Sequence, residues 1–429
     1  MKPLRATQRH HQHGAASLLV VIVLFFILAM VTAYAGRNLI FEQRTSVNNQ
    51  RAAQAFEAAE SGLDMAIGLL GGGRVDAQCA STNDVARNTF RQRHLTQNAI
   101  GNFETPGAMA DLRPTCMLLP AGARCSCPAA GLPALIVPVG GLVPTFQLHF
   151  ETLPPAIAQP GVVRAVSRGC SSIGLECYAG LAKADAVAEV SVLLGLNSAL
   201  ATPPAAALTV HNTLDVNDGA LTVVNTDVPA RGITIDAGGP ILNGASMRLS
   251  SVPGTPGLAS VLASDPSLAD LPNRDRMFVS LFGMDRDTYR SQPAAVQVTC
   301  AGNCASNIGA AVSQNPGRVI WVQGSATIES AQVWGTLGQP VMLVVQGDLT
   351  VSDNLQLFGV LYLGGGATNT WTTTAGGTLI EGAVVAEGNL SVVGDPTIVF
   401  NPAVLRTINL TQGSLVRIPG SWRDFEAGS

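Results

Sequence analysis

Eight cysteines carry the most obvious chemistry in this chain: Cys79, Cys116, Cys125, Cys127, Cys170, Cys177, Cys300 and Cys304. All of them follow a long apolar segment near the N-terminus. An even set confined to the part beyond such a segment fits disulfides formed in an oxidising compartment. Zinc ligation and buried free thiols are the alternatives. Cys125-x-Cys127 lacks the two-residue gap of a zinc knuckle, and Cys300 and Cys304 have no histidine partner nearby. Cys170–Cys177 and Cys300–Cys304 are expected to close local loops, while the other four can pair in more than one way.

The other candidate motifs lead away from catalysis. His10, His11 and His13 offer imidazoles to a metal but stand in a leader expected to be removed. Asp215-x-Asn217-Asp218-Gly219 lacks the spacing and terminal Glu of a calcium loop, so a β-turn is expected there. Gly364-Gly365-Gly366 reads as a corner between strands rather than a phosphate cradle. No GxSxG elbow, Walker loop, HExxH or dinucleotide fingerprint occurs. His94, His149 and His211 stand beside no nucleophile in sequence. No catalytic residue, metal or cofactor is therefore assigned, and the chain is not read as an enzyme. A formal net charge of −4 without a basic face does not suit nucleic acid.

The elements that must position these residues begin with Ala15–Ala35, a run without a charged residue. As a helix it measures about 31 Å, one hydrocarbon thickness. Lys2, Arg5 and Arg9 precede it, which holds the N-terminus in the cytoplasm and sends the remainder outward. Ala33-Tyr34-Ala35 would also serve as a signal-peptide cleavage site. Against that, the apolar run exceeds a signal core and the helical pattern continues. Phe56, Ala59, Leu63, Ala66 or Ile67, and Leu70 form one apolar stripe. Gly71-Gly72-Gly73 is expected to end the helix as a C-cap. The whole helix would be about 84 Å long.

These residues resemble a type IV prepilin: a short basic leader ending in Gly14, an apolar run directly after it, and an amphipathic continuation. The run Ala55-Phe56-Glu57-Ala58-Ala59-Glu60-Ser61-Gly62-Leu63 resembles the PilX group of minor pilins in particular. The resemblance implies cleavage between Gly14 and Ala15 by a prepilin peptidase, with methylation of the new Ala15 amine. His13 departs from the Lys or Arg that usually precedes the Gly, and Ala15 from the usual Phe. Leu19 replaces the Glu of major pilins, as in PilX-like pilins and GspK pseudopilins, which are read as tip subunits. An uncharged residue there also avoids placing a carboxylate in lipid. Leu19, Phe56, Glu57, Glu60 and Leu63 are the residues this resemblance assigns to the filament helix.

Beyond the helix, residues 74–135 yield no topology, apart from an expected short helix within Val85–Ile100. From Pro144 onward, alternating residues predict strands over Thr145–Phe150, Val162–Arg168 and Asp185–Leu196. A long helix packed on such a sheet is the pilin head arrangement, with the Cys170–Cys177 loop joining two strands. Ser198–Ala207 reads as a linker.

After Leu208 short apolar runs recur at about 20-residue spacing, several ending in Gly: Val319–Gly324, Val341–Gly347, Leu355–Tyr362 and Leu379–Gly388. Continuous apolar runs suit buried parallel strands. The reading is a right-handed parallel β-helix, with Leu208–Val224 and Ile233–Leu249 as earlier coils and a helical insertion over Leu258–Tyr289. A β-sandwich is the competing reading, although hairpin turn signals are sparse. Trp422-Arg423-Asp424-Phe425 reads as a docking segment or cap.

The expected fold is thus α+β: a long N-terminal pilin helix, a small antiparallel β head, and a mainly β C-terminal domain. The expected divisions are a leader (1–14), the pilin helix (15–73, with 15–35 transmembrane), a disulfide-bearing head (74–200) and the β-helix (208–429). The resemblance implies a structural minor pilin for initiation and tip assembly of a type IV pilus. It would reside in the bacterial inner membrane with its bulk in the periplasm, then at the pilus tip. Its partners would be the major pilin, other minor pilins, a tip adhesin, the prepilin peptidase and the inner-membrane assembly platform. The rival readings are a type II secretion pseudopilin, a tip adhesin or binding module, and a membrane-anchored enzyme.

Overall fold

The computed structural model describes residues 13–106, 113–128, 135, 143–172, 186–374 and 377–424. Residues 1–12 of the leader, Cys177, Asp185 and Phe425 lie outside the described residues. His13–Leu70 form one continuous α-helix. It stops at the three glycines, whose helix propensity is poor, and the Gly71 and Gly72 amides bond back to the Ile67 and Leu69 carbonyls. None of the three has a positive φ, so the expected left-handed cap is not the device used. Gly73 instead brings the chain close against Asn315 of the distal region.

The outer half of the helix lies on a six-stranded antiparallel sheet. The strands run in the order Gly413–Arg417, Val187–Ser198, Val162–Cys170, Thr145–Glu151, Thr115–Leu119 and Gly122–Ser126. Small residues permit the close approach. Ala55, Ala58, Ala59 and Ala66 are buried on this face with Leu63 and Leu70. A Cβ on Gly169 would stand 2.0 Å from the Ala55 carbonyl oxygen, and one on Gly62 would stand 2.1 Å from the Ser167 hydroxyl. Phe146, Leu148, Val163, Val190 and Leu194 complete the head core. A short helix, Phe90–His94, closes the head and carries a Thr89/Gln92 capping box. Disulfides join Cys79 to Cys127, Cys116 to Cys125, and Cys300 to Cys304. Cys170 is also disulfide-bonded.

The distal region is a stack of parallel coils. One wall is a 12-stranded sheet and the other a 6-stranded sheet, and all their pairings are parallel. The stacking order differs from the chain order. Strands of Ala295–Thr299, Val319–Gln323, Val341–Val345, Leu355–Leu363 and Thr378–Ala386 follow one another in sequence. The next neighbour is Leu208–Val210, the first coil in the chain, which pairs with Val384–Ala386. Ile235–Ala237 and Val261–Ala263 continue the stack to its far end. The expected insertion therefore connects the two ends of the stack. It comprises the helices Pro266–Ala269, Arg274–Phe282 and Arg286–Ser291. Its apolar face packs on the wide wall, with Phe278 edge-on to Trp321 and Tyr362. This cover explains why that wall is apolar on both faces. Two further helices, Ala305–Gln314 and Pro402–Thr411, carry no prior expectation.

The sequence reading extends the distal region to Ser429 and makes Ser198–Ala207 a linker. Both points are corrected. Gly413–Arg417 pairs with Val187–Ser198 in the head sheet, so the solenoid is an insertion between two adjacent head strands. Ala199 and Leu200 are buried, and the Ala199 carbonyl accepts from the Tyr289 hydroxyl at 2.7 Å. Backbone pairing and apolar burial on both sides of the crossing leave no free spacer.

Candidate assembly interface

The long helix divides by what covers it. From Leu18 to Gln50 every residue is exposed, and an 18-residue window of mean hydropathy 2.9 lies wholly outside the protein body. Length and composition suffice to cross a bilayer. An apolar surface of this size in water is unfavourable at about 25 cal/mol per Å², so lipid or other apolar helices must cover it. Leu19 is 65% exposed within this stretch. Gly14 and Ala15 lie in the first turns of the helix.

The motif at residues 55–63 is split between two tasks. Ala55, Ala58, Ala59, Gly62 and Leu63 face the head and are buried, so Leu63 is a core residue with no surface to offer a partner. Phe56, 37% exposed, meets the Trp422 ring edge-to-face at 6.2 Å between centroids. The Trp422 indole donates to the Glu60 carboxylate. One turn further on, Arg417 pairs with Asp64 at 2.6 Å. The Arg423–Ser191 backbone pairing places this C-terminal segment beside the helix. Glu57 is exposed. The structure thus brings Phe56 and Glu60 together under Trp422 and leaves Leu19 and Glu57 open. Trp422 was the one legible signal for this contact.

The solenoid contains one buried ionic cluster. Glu387, with its side chain 1% exposed, accepts from Arg286 at 2.7 Å, from the Tyr362 hydroxyl at 2.5 Å and from the Gly365 amide at 2.6 Å. Arg286 also reaches Gln346 at 3.1 Å and lies over the Phe278 ring at 4.6 Å. Burial, then the Glu387 carboxylate, holds the Tyr362 phenol well above its usual range. Burial works to lower Arg286, but Glu387 holds it above its ordinary value. Every carboxylate oxygen is engaged by a donor, so this cluster fastens the crossing insertion to two coils and presents no free base. His211 places its Nδ1 3.1 Å from the Glu387 carbonyl oxygen, and His94 packs against Phe90 and Phe150. No group of His, Cys, Asp and Glu among the described residues is arranged to hold a metal.

The family described as PilX N-terminal matches residues 13–64. No curated protein matches the chain. Among solved structures, an ice binding protein from an Antarctic Biological Consortium is 14% identical, with 45% of this chain and 86% of that one covered at a TM-score of 0.22. The competence-associated pilin ComZ from Thermus thermophilus is 11% identical, with 87% of this chain and 97% of that one covered at a TM-score of 0.21. Both scores are too low for either likeness to bear on fold or function. The family match falls on the segment that combines the exposed apolar helix with the small-residue face under the head. Residues 13–64 are thus similar to the PilX N-terminal family, and that segment is where the chain resembles a type IV pilus-related pilin.

Proposed function

We propose that this pilin is a structural minor pilin that helps to initiate a type IV pilus and stays at its tip. The observation that carries this reading is the single helix whose first half is exposed and apolar while its second half is locked into the head. In the membrane, lipid covers the first half. On extraction, the helices of the major pilin and other minor pilins replace that lipid, so little apolar area meets water. Leu19 supports an end position, because it offers no carboxylate to the amine of a subunit above it. The solenoid adds bulk beside the head that a packed filament shaft has little room for.

Prepilin peptidase acts between Gly14 and Ala15 in this reading, the assembly platform extracts the processed chain, and the solenoid is free to meet a tip adhesin. The mainly β solenoid weighs against a GspK-like pseudopilin, whose inserted domain is usually mostly helical. Two measurements test the proposal. N-terminal sequencing of the mature protein should find methylated Ala15, and a start at Gly36 would refute processing as a prepilin. Immunogold labelling should mark filament ends, and even labelling along shafts would refute the tip position.

A further inference from the structure

We propose that Met65, Cys116 and Cys125 form a copper(I) site when the Cys116–Cys125 disulfide is reduced. Met65 Sδ lies 3.4 Å from Cys116 Sγ and 3.7 Å from Cys125 Sγ, and the two cysteines are bonded to each other. Sulfur atoms from the long helix and from two head strands therefore converge on one point. With metal–sulfur bonds of about 2.3 Å, three sulfurs around one ion stand about 4 Å apart. The thioether is already close to that spacing, and opening the disulfide lets the two cysteine sulfurs separate to reach it.

The fold holds these donors in place without the disulfide. Cys116 and Cys125 are directly opposed in a hairpin of five residue pairs, Thr115–Leu119 on Gly122–Ser126. Thr115, Cys116 and Met117 also pair with Gln147, Phe146 and Thr145 of the next strand. Met65 is oriented by its helix neighbours Leu63 and Ala66, both buried in the head core. Cys116 is buried, whereas Met65 and Cys125 are half-buried. Gly122–Ser126 is the edge strand of the sheet, so the three sulfurs lie at the margin of the head and an ion approaches from that edge.

The donor set decides the ion. Thiolate and thioether sulfur select copper(I), whereas zinc calls for four ligands drawn from nitrogen, oxygen and thiolate. Among the described residues no His, Asp or Glu joins the two cysteines to complete such a set. Opening the disulfide needs a partner dithiol. Its thiolate attacks Cys125, the less buried sulfur, and Cys116 leaves as the thiolate. The second thiol of the reductant then displaces Cys125 and closes the reductant's own disulfide. Two electrons and two protons thereby pass from the dithiol to the cysteine pair. Copper(I) replaces the two thiol protons, which go to water, and takes a lone pair from Met65 with no further proton loss. The metal keeps its oxidation state. The oxidised pair has no thiolate to offer, so the site exists only after reduction. This inference does not depend on the pilin reading.

The test uses the full chain in non-ionic detergent, reduced anaerobically with a phosphine that is then removed. Alkylation and mass mapping identify the opened pairs, and circular dichroism confirms the fold. Copper(I) is then titrated in competition with a chromophoric copper(I) chelator. The reduced chain should bind one more copper(I) than the Cys116→Ser/Cys125→Ser variant, and the oxidised chain should bind none. Met65→Leu keeps the disulfide and nearly the same volume, so it folds even where the serine variant does not. It should weaken the ion at least about tenfold and remove one sulfur neighbour from the X-ray absorption spectrum. Equal stoichiometry in a folded serine variant, unchanged affinity in Met65→Leu, or tighter binding of zinc overturns the proposal. So does a Cys116–Cys125 disulfide that stays closed while the head remains folded.

Discussion

Ser198 and Gly413 face each other as paired residues on adjacent antiparallel strands of the head sheet, although the whole solenoid lies between them in sequence. The solenoid is therefore held at two chain crossings set side by side, and it is further bound through Tyr289 and the helix Pro402–Thr411.

Joining Ser198 to Gly413 through an Asn-Gly turn should convert the two strands into a hairpin and leave a folded head. Non-reducing mass mapping should still find Cys79–Cys127 and Cys116–Cys125. In cells this variant separates assembly from adhesion. Loss of filaments supports the assembly role, whereas normal filaments that fail to adhere would make the solenoid a binding module.

Gly169→Ala should destabilise the protein by about 2–4 kcal/mol, because its Cβ meets helix backbone that cannot yield. Gly68→Ala, in the same helix with open space at its Cβ, should instead stabilise by about 0.5–1 kcal/mol. Urea titration of both variants measures the contrast, and equal effects would refute the close helix–sheet contact.

Glu387→Leu should cost about 3–5 kcal/mol, since Arg286 would remain buried without its counter-charge. The double variant Arg286→Met with Glu387→Leu should recover part of that loss. Chemical denaturation of the single and double variants tests the coupling, and simple additivity would show the pair to be independent.

His94 titrates at about 4 in the folded head, lowered first by burial and then by Arg93. The unfolded chain takes up this proton below pH 6.5, before the folded head does. Stability should therefore be full above pH 6.5 and fall by roughly 3 kcal/mol as pH drops to about 4. Asp236 works in the opposite sense. Burial, then Asp265, raises it to about 6, so its contribution is lost as pH rises from 3.8 to about 6. Melting curves of His94→Gln and Asp236→Asn across pH 4–7 should flatten the respective slopes.

Single-chain periodicity was enough to place the long helix, three of the six head strands and many of the coil strands. Apolar spacing over Phe56–Leu70 and the runs ending in Gly are local signals that need no knowledge of neighbours. The candidate interface was legible to the same extent: the exposed apolar half and the motif at 55–63 are contiguous in sequence. The covering of Phe56 and Glu60 by Trp422 was legible only as a docking segment without a target, because an aromatic near a terminus shows no partner. The cavity lined by Arg91, Arg318 and Gln412 was not legible, since its members come from three distant segments. The nonlocal pair Cys79–Cys127 joins only when the head closes.

The amino-acid sequence by itself determined the apolar helix, its amphipathic continuation, and a distal region built of parallel β coils. Those features follow from side-chain period and turn chemistry, which act within a few residues. Tertiary structure alone decided the order of the coils and the return of the C-terminus to the head. A parallel coil offers the same backbone donors and acceptors to any neighbour of matching length. Leu208–Val210 can therefore stack on Val384–Ala386 as readily as on a coil adjacent in the chain. Burial of the crossing insertion, sealed by Arg286 on Glu387, selects between those arrangements, and that choice exists only once the whole stack is formed.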